Sequence, residues 1–158
     1  MSVEEKLLAN IAGVAARVRL EFILIGNAAA SVLGAPIVTE DIDLFVRHTP
    51  RNLQKIKAFA ELLGGAVYGP FAPVSRMQRV TTPEVSVDFI FELSSRKKFE
   101  SVRSRASRVK FGGREVLVAS LTDVIVAKEA AGRPKDRATL HVLKNTLRTK
   151  QEMEKTTR

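Results

Sequence analysis

The chain contains no cysteine among its 158 residues. That excludes a disulfide framework and any thiolate metal site. Long apolar runs are missing too, and none approaches the roughly 20 residues a helix needs to span a bilayer. The first residues, Met1-Ser2-Val3-Glu4-Glu5, are acidic where a signal peptide is basic. These absences lead to the expectation of a cytoplasmic protein with no membrane partner. Histidine is scarce, and His48 and His141 stand alone without ligand spacing, so neither is assigned a role. Aromatic residues make up 6% of the chain, and no aromatic-rich nucleic-acid motif is present.

What is present reads as one globular unit. Apolar residues account for 45% and charged residues for 27%, a soluble, foldable balance. The length suits one domain with a real core better than two. The net charge of +9 is unevenly placed. Residues 1–75 carry 7 Lys+Arg against 7 Asp+Glu, whereas residues 76–158 carry 19 against 10. Within 96–114 stand Arg96, Lys97, Lys98, Arg103, Arg105, Arg108, Lys110 and Arg114 against Glu100 alone. Such a region can attract RNA or another polyanion, or simply serve as a solvated basic face.

Periodicity supplies the elements. Apolar residues at helical spacing predict a helix over 3–19. Residues 21–25 read as a buried strand, Gly26-Asn27 as a turn and 28–33 as a short helix of small residues. Residues 41–46 form a second strand. Thr49-Pro50 caps a helix that Gly64-Gly65 ends. Residues 66–80 read as strand and loop, and 85–91 as a strong strand. Segments 102–110 and 114–118 flank Gly112-Gly113, a hairpin signal. Ser120-Leu121-Thr122-Asp123 resembles a capping box opening a helix to Ala131, and a last helix starts near Pro134. The expected fold is α+β (α/β): a mixed β-sheet flanked by helices in one domain over 1–150, with a frayed polar tail over 151–158.

The chemistry concentrates at Thr39-Glu40-Asp41-Ile42-Asp43-Leu44-Phe45-Val46. On a strand Asp41 and Asp43 share one face, and Ile42 and Leu44 point the other way. Two like charges side by side need a compensating cation, and a hard divalent ion with oxygen ligands is the simplest. Strand 85–91 holds one carboxylate, Asp88, in an apolar window, where isolation would cost several kcal/mol. Beside strand 41–46 it becomes a third carboxylate, and three such groups can hold two divalent ions for an in-line phosphoryl displacement. Gly26 allows close backbone approach to a ligand. Lys128 shares a helical stripe with Leu121, Val124 and Ile125, so it must snorkel outward or meet an anion such as a triphosphate. Asp136 suits the first turn of its helix and can orient Lys128 or Arg133.

Taken in order, these segments resemble the nucleotidyltransferase superfamily of DNA polymerase beta in its minimal single-domain form. The likeness covers roughly 20–148 and is strongest to the branch containing toxin-side proteins of abortive-infection systems. Asp41-Ile42-Asp43 and the Ala131-Gly132-Arg133-Pro134-Lys135-Asp136 segment carry it. The resemblance implies that Gly26 and Asn27 hold nucleotide phosphates, and that Asp41, Asp43 and Asp88 are magnesium ligands, two ions being usual. Lys128 then contacts the triphosphate of an NTP, with Lys135 and Asp136 near it. The implied activity moves an NMP to an acceptor hydroxyl on RNA (including tRNA), protein or a small molecule and releases pyrophosphate. An antitoxin partner and oligomer formation are further implications. Asn27 stands where a second glycine or serine is usual, and Ile37 where arginine is frequent. The second reading is therefore a catalytically weakened module of the same fold that binds RNA or a partner protein.

Overall fold

The computed structural model describes residues 2–68 and 76–157. Helix α1 (Val3–Arg17) opens on Ser2, whose hydroxyl accepts from the Glu5 amide at 3.1 Å. The helix buries Leu8, Ile11, Ala12, Val14 and Ala15. Strand β1 (Ile23–Ile25) is buried at all three positions. Helix α2 (Gly26–Val32) follows without a loop, and Ala28, Ala29 and Ala30 are almost completely enclosed. Their small side chains let this helix lie close against its neighbours. Strand β2 (Asp41–Phe45) and helix α3 (Pro50–Leu63) come next, the latter capped by Thr49 and ended by Gly64 at φ +75°.

Strands β3 (Ala66–Tyr68), β4 (Met77–Thr81) and β5 (Ser86–Ile90) precede helix α4 (Phe99–Arg105). The loop expected between β3 and β4 falls on residues outside those described. Strands β6 (Ser107–Phe111) and β7 (Arg114–Val118) form the hairpin around Gly112-Gly113, with φ of +55° and +80° at the two glycines, as a tight primed turn requires. Helices α5 (Leu121–Ala131) and α6 (Pro134–Thr156) pack on each other.

The sheet has the order β3-β4-β5-β2-β1-β7-β6. β2 runs parallel to β5 and β1 to β7, and the other described pairings are antiparallel. The expected mixed sheet flanked by helices is therefore the fold, in a single domain. Ile42, Leu44, Val87 and Phe89 fill one face of the central strands, where Phe89 meets Phe59 of α3 edge-on at 5.1 Å. The carboxylates of β2 and β5 lie on the opposite face.

Two expectations need correction. Residues 102–105 belong to α4 rather than to a strand, because Phe99 and Val102, one helical turn apart, both bury. Gly26-Asn27 forms the first residues of α2 instead of a separate turn. Helix α6 runs to Thr156, and hydroxyls of Thr149, Thr156 and Thr157 donate to carbonyls one turn back.

The basic segment is partly consumed by internal pairing. Lys97 and Arg105 both hold Asp123, Arg103 holds Glu21, and Arg108 faces Glu115. Burial alone would raise the carboxyl of Asp123, but the hydrogen bonds from Arg105 and Lys97 outweigh it and hold it below the usual range. That pair of contacts ties α4 and the segment before it to the first turn of α5.

Candidate active site

A row of residues crosses four neighbouring strands on the open face of the sheet. Ile25 of β1 stands opposite Asp43 of β2, Asp43 opposite Asp88 of β5, and Asp88 opposite Arg79 of β4. Asp41 lies two residues before Asp43 on the same face. This register puts the third carboxylate beside the pair, as the sequence leads one to expect if the two strands are neighbours.

These residues line a cavity of about 740 Å³ that also takes in Gly26, Asn27, Lys128, Lys135 and Asp136. All eight residues named from the sequence thus surround one space. Lys135 stands exposed, whereas Asp136 is 1% exposed.

Gly26 holds the closest approach. Its φ is +66°, and a methyl group there would sit 2.8 Å from Asp43 Oδ2. Both facts disfavour a side chain. Gly26→Ala is expected to lower the melting temperature by several degrees, from about 1–2 kcal/mol of left-handed strain, and to displace the Asp43 carboxylate. Thermal melts alongside NTP-binding titrations check this, and unchanged values in both would refute it. Next to it, Asn27 Oδ1 is buried with no hydrogen-bond partner among the described residues. An amide so placed can serve a ligand from either of its ends.

The electrostatics of the row are strained. Burial first, then repulsion by Asp88 and Asp41, raises the Asp43 carboxyl to about 6, with Lys128 and Arg133 working in the other direction. A hard dication relieves this repulsion, and the donor set is the all-oxygen kind it prefers. The oxygen donors therefore suit a hard divalent cation. They do not yet form a closed cage, since among the described residues no three acidic or histidine groups gather to hold a metal. Asp88 instead gives both oxygens to Arg79, Nε to Oδ1 at 2.7 Å and Nη2 to Oδ2 at 3.0 Å. The expected carboxylate triplet is aligned in register, but its third member is engaged elsewhere.

The opposite wall belongs to α5 and α6. Lys128 Nζ lies 3.6 Å from Asp136 Oδ1, and its side chain is 12% exposed. Burial pulls the Lys128 ammonium below its ordinary value, and Asp136 counters that. Asp136 also accepts from Arg133 Nε at 2.6 Å, from Nη2 at 3.2 Å and from the Arg133 amide at 3.3 Å. Burial alone would raise its carboxyl, yet the Arg133 contacts and Lys128 hold it below the usual range. Asp136 thus orients both cations, as its place in the first turn of α6 allows.

Sequence reasoning missed Arg79. The signal lay in the β4–β5 connection: Thr81 pairs with Ser86 across a four-residue turn containing Pro83. Once that register is known, Arg79 must face Asp88. Asp123 also lines the cavity and went unnoticed because it reads as a helix cap.

A sheet row of carboxylates and the half-buried Lys128 thus line one cavity. The matching family is described as a nucleotidyl transferase of unknown function (DUF2204), over residues 4–157. The chain belongs to this nucleotidyltransferase family. Among curated proteins no sequence matches. Solved structures share the fold. ANT(2")-Ia in complex with adenylyl-2"-tobramycin superposes with a TM-score of 0.65 at 16% identity, covering 92% of this chain and 90% of that one. The lincosamide antibiotic adenylyltransferase LnuA, lincomycin-bound, gives 0.64 at 14% identity, with 92% and 98% covered. A candidate nucleotidyltransferase from Thermotoga maritima gives 0.64 at 17% identity, with 89% and 91% covered. At such identities the likeness speaks for the fold.

Proposed function

We propose that this nucleotidyltransferase moves an NMP from a magnesium-bound NTP to an acceptor hydroxyl and releases pyrophosphate. The observation that carries the reading is the Asp43–Asp88 register facing the Lys128–Asp136 pair across one cavity. Asp41, Asp43 and Asp88 would hold two magnesium ions, which neutralise charge on the phosphates and on the reacting oxygens. Lys128, with Arg133 and Lys135, faces the triphosphate, and Asn27 offers its amide beside it. The acceptor oxygen bonds to the α-phosphorus as the bond to the β-phosphate oxygen breaks, and Asp88 takes the hydroxyl proton. Catalysis then comes from positioning and charge compensation.

For the acceptor we favour a hydroxylated small molecule. Two of the fold's relatives have antibiotic adenylation in their names, and four of the eight cations in 96–114 are engaged in ion pairs within the chain. RNA and protein hydroxyls are the competing acceptors. The toxin-type reading rests on the Asp41–Asp43 and Ala131–Asp136 segments and would bring a cytoplasmic setting and an antitoxin partner. Incubation with α-labelled NTPs, magnesium and a panel of aminoglycosides, lincosamides, RNA and protein decides among these. Label on a small molecule is the expected result. Steeply salt-dependent RNA binding without NTP binding would instead favour a weakened binding module.

A further inference from the structure

Asp88 is 5% exposed, and Arg79 satisfies it with a two-point fork, the strongest geometry available to a carboxylate. The backbone enforces the contact, because β4 and β5 place the two residues directly opposite each other. The side chain of Arg79 is nevertheless 45% exposed. Its head can leave without moving the core. The guanidinium also feels the charges of Asp41 and Asp43, so it faces the whole carboxylate row rather than one member.

We propose that Arg79 is the resident counter-cation of this row, a positioning residue that holds Asp88 in the metal-free protein and competes with a divalent cation for the same two oxygens. The proposal rests on the reading of Asp41, Asp43 and Asp88 as metal ligands. Three unscreened carboxylates at one spot would repel one another. A guanidinium on the next strand keeps the site folded without metal and lowers its metal affinity below what the carboxylates alone would give. Lysine could not do the same, since a point charge lacks the planar fork that engages both oxygens.

Calorimetric titration of Mn²⁺ into the metal-free chain tests this in wild type, Arg79→Gln, Arg79→Lys and Asp43→Asn. Arg79→Gln is expected to bind Mn²⁺ about tenfold tighter than wild type, and Arg79→Lys to fall between them. In chelator, Arg79→Gln melts below wild type, and Mn²⁺ restores it. A purely structural arginine would produce the lower melting temperature without the gain in affinity. Unchanged or weaker Mn²⁺ binding by Arg79→Gln, with binding still lost in Asp43→Asn, overturns this proposal alone. If Arg79→Gln does not fold, Arg79→Lys carries the test, and affinity equal to wild type overturns it. Absence of Mn²⁺ binding in every form overturns both this proposal and the metal reading beneath it.

Discussion

Asp43→Asn is expected to reduce nucleotidyl transfer by more than about a thousandfold, the scale set by several kcal/mol of lost charge stabilisation in the transition state. The same substitution is expected to stabilise the metal-free protein at neutral pH. This combination separates a functional carboxylate from a structural one. Asp43 is central in the cross-strand row, flanked by Asp41 and Asp88, and its carboxyl is raised to about 6. A carboxyl raised in the folded state favours the protonated form. Its contribution is therefore favourable at acid pH and is lost as pH rises from the unfolded value near 4 through about 6. Asparagine keeps the shape and removes the charge. The gain over wild type in chelator should be absent near pH 4, grow through pH 5–6 and level off above pH 7, at no more than roughly 3 kcal/mol. Thermal melts of both proteins in chelator across that range measure it. An Asp43→Asn protein that melts below wild type at pH 8 would sink the electrostatic reading.

Asp123 and Asp136 set the opposite trend, which leaves the window clear. Both carboxyls sit below their usual value because cations hold them. Their contribution is present above the unfolded value and lost as pH falls through the folded one. Acid unfolding should thus be driven by these two, well below the pH at which Asp43 titrates.

Much of this site was legible in the chain because side-chain alternation on a strand is a local rule. Asp41-Ile42-Asp43 needs only the assignment of a strand for its carboxylates to share a face. Lys128 betrays itself by falling on an apolar helical stripe. The pairing of β2 with β5 is different in kind. It joins residues 41–45 to residues 86–90 across a helix and two strands, and nothing in either strand names its neighbour. Only the cost of an isolated Asp88 hinted at it. Arg79 was hidden for the same reason, one strand further out. The α4 segment was misread because seven residues with two apolar positions fit a strand or a helix about equally well. Its packing through Phe99 and Val102 decided the matter.

Asp136→Ala is expected to be among the most destabilising single changes in the chain. The carboxylate is 1% exposed and serves Lys128, Arg133 and the start of α6 at once. Breaking a buried pair by removing one partner costs about 3–5 kcal/mol, because the remaining charge is left uncompensated. For a chain of this length that is a fall of about 10 °C in melting temperature. Lys128 suffers most. Burial already pulls its ammonium down, and without Asp136 it loses charge at lower pH. NTP binding should then weaken, and more so as pH rises. Arg133, with its side chain 58% exposed, can turn to solvent. The double variant Lys128→Met/Asp136→Ala should recover part of the lost stability, since neither charge remains buried alone, but none of the NTP affinity. Melting curves and NTP titrations on the two single variants and the double make a closed cycle. A double variant no more stable than Asp136→Ala would mean that the aspartate works chiefly as a cap on α6, and that Lys128 holds its place in the cavity without it.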